Sequence, residues 1–141
     1  MTIAGAFADT VVERVRAMHA PGIVGLDPEP GRMPAEFALD PAQSHPLAQA
    51  QAIERFCAEI IEAIHDLVPA VKPQAAYFER WGAPGMAALE RVVELARRRG
   101  LLVILDAKRG DIGSTAEAYA AAYLARHPPR ALECDALTAN P

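Results

Sequence analysis

The chain has 141 residues, 52% of them hydrophobic and 23% charged, with a net charge of -4 and only two cysteines. This balance suits a globular domain able to bury a core, and its interspersed signs disfavour nucleic acid or an anionic membrane as a partner. Cys57 and Cys134 lie far apart with no CxxC spacing, which excludes a zinc ribbon or disulfide scaffold and points to reduced thiols in a cytoplasmic setting. The opening MTIAGAFADTVVERVRAM lacks a basic segment followed by an unbroken apolar core, so no signal peptide is expected. No apolar run reaches the ~18 residues of a membrane span.

Phe7, Val11, Val12, Val15 and Met18 recur at helical spacing and predict a helix over 6–18. Ile23 to Leu26 is a short apolar strand closed by Asp27-Pro28. Proline-rich chain follows to Pro46, read as a loop with room for a short helix. Ile53, Phe56, Cys57, Ile60, Ile61 and Ile64 share one face of a helix over 47–67. Val68 to Lys72 reads as a second strand stopped by Pro73, and Tyr77 to Gly82 as an aromatic turn whose rings pack rather than form a lid. A third helix is expected from Pro84 to Arg99, with Gly100 as its stop. Its terminal Arg97-Arg98-Arg99 complements the helix dipole. Leu101 to Leu105 is the third strand. Ser114-Thr115-Ala116-Glu117 forms a capping box for a helix to Leu124, and Ala136 to Ala139 a fourth strand.

Apolar strands alternating with helices argue an α/β fold with a parallel sheet covered on both faces, in one domain over 1–141. A doubly wound sheet and a barrel both fit. A (β/α)8 barrel needs ~250 residues, so this chain would supply about the first four strands, a half-barrel.

The chemistry gathers at strand ends. The first strand ends at Asp27, the second at Lys72 and the third at Asp106, with Lys108 two residues on and Asp111 beyond. Strand alternation puts Asp106 and Lys108 on one face, opposite Leu105 and Ala107. The C-terminal edge of a parallel sheet is where ligands sit. No GxGxxG or GxxxxGK[ST] occurs, and His19, His45, His65 and His127 fall away from strand ends. The catalytic material is therefore lysine and aspartate. A lysine ammonium can stabilise negative charge building on carbon and donate a proton to it, and flanking carboxylates keep it charged.

Asp106-Ala-Lys108-Arg-Gly-Asp111-Ile112-Gly-Ser-Thr115 resembles the DxKxxDI..T signature of the orotidine 5'-phosphate decarboxylase family. Gly25-Leu26-Asp27-Pro28 is similar to that family's first strand end. Val71-Lys72-Pro73-Gln74, followed by Ala76-Tyr77-Phe78-Glu79, resembles its longer bacterial branch. The resemblance runs from Ile23 to Pro141. It implies a (β/α)8 TIM barrel that dimerises and converts orotidine 5'-monophosphate to uridine 5'-monophosphate and carbon dioxide, a step of pyrimidine biosynthesis, with no cofactor and no metal. It further implies that Lys108 protonates C6 of the pyrimidine and that Asp106 lies beside the departing carboxylate. Lys72 and Asp27 would hold ribose hydroxyls, with Lys72 also paired to Asp106. Asp111 and Thr115 would reach the partner's site, and Ile112 would cover the site edge.

Three alternatives stand beside this. A magnesium-dependent sugar-phosphate decarboxylase or synthase of the same superfamily shares DxKxxD, but it places a glutamate where this chain has Lys72, and a cation there opposes Mg2+. A Schiff-base aldolase would need a neutral lysine, which the neighbouring carboxylates disfavour at Lys108. The third is a non-catalytic half-barrel, since barrels of this kind hold phosphate on the loops after strands seven and eight.

Overall fold

The computed structural model describes residues 7–40, 42, 44–124 and 132–140; Ala6 of the expected first helix, Pro41 and His127 lie outside them. The elements run α1 (Phe7–Met18), β1 (Ile23–Leu26), a 3-10 turn (Pro30–Arg32), α2 (Pro46–Ile64), β2 (Ala70–Pro73), α3 (Ala75–Glu79), α4 (Gly82–Arg98), β3 (Leu102–Leu105), α5 (Gly113–Tyr123) and β4 (Ala136–Leu137).

The strands form one parallel sheet in the order β1-β2-β3-β4. Ile23 pairs with Ala70 and Ala70 with Leu102, while Leu105 pairs with Leu137. Strand order therefore follows chain order with no reversal, so the sheet lacks the switch point of a doubly wound fold. Helices α2 and α4 pack on each other, and α4 packs on β2 and β3. Their apolar stripes (Ile53, Cys57 and Ile61; Leu89, Val92, Val93 and Ala96) are fully or almost fully buried against Val71, Val103 and Leu105. The opposite face carries Ile23, Lys72 and Ile104, which are partly or largely exposed, and Ala70 and Leu102, which are buried without a helix of the α2–α4 layer over them. The expectation of a sheet covered on both faces is thus corrected: among the described residues α2 and α4 gather on one face.

Two local expectations also change. Tyr77 to Gly82 is not a bare turn; its first part belongs to α3, which carries fully buried Phe78 into the core. The close approach of α3 to α4 depends on Gly85, where a Cβ would lie 1.9 Å from the Phe78 carbonyl oxygen. The aromatics do pack, since Tyr77 and Trp81 lie partly buried against the core. The strand expected over 68–72 runs instead from Ala70 to Pro73, so Pro73 is its last residue, with its carbonyl accepting the Asp106 N–H at 2.9 Å.

The ends of α4 and β4 are tied by charge. Gly100 (φ +80) closes α4, donating to the Arg97 carbonyl at 2.9 Å, while the Leu101 N–H reaches the Ala96 carbonyl at 3.0 Å. The arginine run ends in ion pairs: Arg97 with Glu133 and Asp135, Arg98 with Glu94, Arg99 with Glu62. Asp135 also accepts the Val103 N–H at 2.8 Å, fixing the start of β4 beside β3. His45 caps α2, its Nδ1 accepting the Leu47 N–H at 3.3 Å.

Candidate active site

Parallel register decides which strand-end residues meet. Lys72 is one residue before the end of β2, and beyond it Gln74 bridges to Asp106, the residue just after β3. Asp106 is 7% exposed, yet it carries a carboxylate. A buried charge must be paired, and this one is paired twice. Lys72 Nζ donates to Oδ2 at 2.6 Å, and Lys108 Nζ donates to Oδ1. The Thr138 hydroxyl, from the residue after β4, also donates to Oδ1 at 2.9 Å. The Lys108 ammonium, then Lys72 and Thr138, hold the Asp106 carboxyl far below the usual carboxylate range, against the opposing effect of burial.

Lys108 leaves the strand with φ +49, in the left-handed region that a residue with a Cβ rarely occupies. That turn swings its side chain back onto Asp106 instead of onward along the chain. The next residue braces the turn: Arg109 donates to the Ala107 carbonyl at 2.8 Å and to the Glu79 carboxylate on α3.

The sequence-derived candidates do not all converge. Lys72, Asp106 and Lys108 form one hydrogen-bonded cluster. Asp27 is exposed just after β1, and its charge is felt beneath it at Cys57. Asp111 is exposed and accepts the N–H of Ile112 at 2.8 Å; Ile112 is 86% exposed, and Thr115 is exposed in the first turn of α5. Within this single chain none of these three is hydrogen-bonded to the Asp106 cluster. The expected capping box is not formed: Ile112 is the N-cap, with no side-chain cap. Glycine at 113 (φ +56) starts the helix earlier, so Ser114 and Thr115 fall inside its first turn. Thr138 was missed, because a neutral residue at a strand end gives no charge signal; only the register of β4 reveals it.

Among the described residues no group of three or more His, Cys, Asp and Glu could hold a metal ion, and no helix is long and apolar enough to cross a membrane. Both cysteines are buried, and burial pushes each thiol up to about 12. The cluster unites a shielded carboxylate with two half-exposed ammoniums at the C-terminal edge of a parallel sheet. Such an arrangement can accept an anionic substrate, stabilise negative charge forming above Lys108 and deliver a proton to it.

Residues 23–141 match the sequence profile of the orotidine 5'-phosphate decarboxylase / HUMPS family. The chain is 47% identical over 135 residues to the orotidine 5'-phosphate decarboxylase of Roseiflexus sp. (strain RS-1), which covers 96% of this chain and 44% of that relative. The decarboxylase of Salinispora arenicola is 45% identical over 92% of this chain and 43% of its own length. A crystal structure from Streptomyces avermitilis superposes with a TM-score of 0.74 at 40% identity, covering 93% of this chain and 42% of that one. The Leishmania donovani OMP decarboxylase gives a TM-score of 0.60 at 39% identity, over 82% and 38% respectively. The chain thus spans less than half the length of the curated relatives named here, and its four-stranded sheet is the first half of a (β/α)8 TIM barrel. By the profile match and by these relatives, the chain belongs to the orotidine 5'-phosphate decarboxylase / HUMPS family.

Proposed function

We propose that this site serves the decarboxylation of orotidine 5'-monophosphate to uridine 5'-monophosphate and carbon dioxide, in pyrimidine biosynthesis. The observation that carries the reading is the Asp106 carboxylate held between the Lys72 and Lys108 ammoniums. In this reaction the C6–carboxylate bond breaks and its electron pair stays on C6. Carbon dioxide leaves, and Lys108 donates a proton to C6 and is recharged from solvent. Charge on Lys108 is essential to both stabilisation and protonation, and its ammonium donates to the Asp106 carboxylate. In this reading Asp106 flanks the departing carboxylate, and Lys72 and Asp27 hold ribose hydroxyls. The reaction needs no cofactor or metal, because the charge on C6 is met by Lys108.

The proposal extends to a cytoplasmic homodimer in which Asp111, Ile112 and Thr115 serve the partner's site. What supports this is their exposure on the loop and first turn of a helix that buries none of its own described side chains. The family description also covers HUMPS proteins, and a lysine at the end of β2 weighs against a magnesium-dependent reaction there. The discriminating experiment places this chain in a chimera, replacing the corresponding 44% of the Roseiflexus sp. relative. Loss of orotidine 5'-monophosphate absorbance in excess EDTA is the expected result. Turnover that appears only with added Mg2+, or only with a hexulose phosphate, would overturn it.

A further inference from the structure

We infer that Thr138 is a positioning residue of this site, fixing the Lys108 main chain so that the Lys108 ammonium lands on Asp106. Thr138 stands at the exit of β4 and touches the exit of β3 through four hydrogen bonds. Its N–H donates to the Leu105 carbonyl at 3.0 Å, and its carbonyl accepts the Arg109 N–H at 3.2 Å. Its hydroxyl donates to Asp106 Oδ1 at 2.9 Å and accepts the Lys108 N–H at 3.1 Å. A threonine hydroxyl has one proton to give and lone pairs to receive, so both side-chain bonds form at once. The carboxylate can only accept, which fixes the direction of both.

The peptide unit between Ala107 and Lys108 is consequently held at both ends. Arg109 takes the Ala107 carbonyl at 2.8 Å, itself anchored on Glu79, and Thr138 takes the Lys108 N–H. That peptide immediately precedes the left-handed Lys108. A conformation unfavourable for a residue with a Cβ persists only when its surroundings determine it. Arg109 and Thr138 supply that determination from opposite sides, and Thr138 alone links it to the carboxylate that receives the ammonium. The importance of placing Lys108 rests on the proposed reaction; the placement itself does not.

The test is NMR hydrogen exchange on the full chain, comparing wild type with Thr138→Val and Thr138→Ser. Valine keeps the shape and the backbone bonds and removes the hydroxyl. Exchange of the Lys108 amide is expected to quicken about five- to tenfold in Thr138→Val, the worth of one lost hydrogen bond. The amides of Arg109 and of position 138, which bond to backbone carbonyls, keep wild-type rates. The Lys108 ammonium protons exchange faster and those of Lys72 do not change. Thr138→Ser restores the wild-type pattern. An unchanged Lys108 amide or ammonium in Thr138→Val would overturn the inference. So would equal acceleration of all three amides, which would make Thr138 an anchor for β4 and nothing more. If Thr138→Val does not fold, Thr138→Ala is read in the same way. None of these readouts depends on turnover, so failure here is separable from failure of the proposed reaction.

Discussion

Replacing Asp106 by asparagine removes the charge that the two lysines share while keeping the side chain's shape. Charge-assisted hydrogen bonds contribute about 1.5–3 kcal/mol each, but the Lys72 and Lys108 side chains are 36% and 57% exposed, so solvent screening reduces them. A discounted contribution of about 1–1.5 kcal/mol for each gives an expected loss of about 2–3 kcal/mol near pH 7. The pH dependence carries the sharper test. The folded carboxyl lies below its unfolded value, so its contribution is complete above the unfolded value of about 3.9 and is lost as pH falls through the folded one. At about pH 3 the unfolded chain has largely taken up the proton while folded Asp106 has not. The gap between wild type and Asp106→Asn then narrows by about 1 kcal/mol relative to pH 7. Urea unfolding of both proteins at the two pH values measures it, and the other carboxylates cancel in the difference. A gap that stays constant between them would refute the double pairing of Asp106.

Gly85→Ala places a Cβ against the Phe78 backbone carbonyl, which no side-chain rotation relieves. It is expected to lower stability by about 2 kcal/mol or more in the same urea assay, whereas Gly31→Ala, with open space around it, changes it little. The buried thiols of Cys57 and Cys134, pushed up to about 12, stay protonated near pH 8. An aromatic disulfide reagent is expected to react with neither in the native protein and with both in denaturant, and rapid native reaction would show that the core is open.

How much of this was legible follows from the length scale of each signal. Strands β1 to β3 and helices α2 and α4 declared themselves through local periodicity, within one to three residues at each end. Asp106 and Lys108 were expected together from alternation along an extended chain, and they do meet, but by another route: β3 ends at Leu105, and the left-handed turn at Lys108 brings its ammonium back to Asp106. Lys72 joined them because β2 and β3 are adjacent parallel strands, which alternating apolar runs already suggest. Thr138 was not legible, because its role depends on the register of β4 against β3, a pairing set 32 residues away. Helix α3 was hidden by aromatic residues that read as a turn; the contact permitted by Gly85 makes it a helix packed on α4. The charge pattern grouped Asp111 with the strand-end residues, but it lies in the loop before α5, where its carboxylate accepts the Ile112 N–H, and charge alone did not reveal that.

The most direct test of the proposed chemistry is Lys108→Ala in the chimera with the Roseiflexus sp. relative, assayed for uridine 5'-monophosphate formation in excess EDTA. A proton donor and charge stabiliser contributes about a hundred- to ten-thousandfold to rate. A loss of at least about a hundredfold in kcat is expected, with circular dichroism unchanged. Turnover within about threefold of the unsubstituted chimera would contradict it, because the proton at C6 would then come from another group.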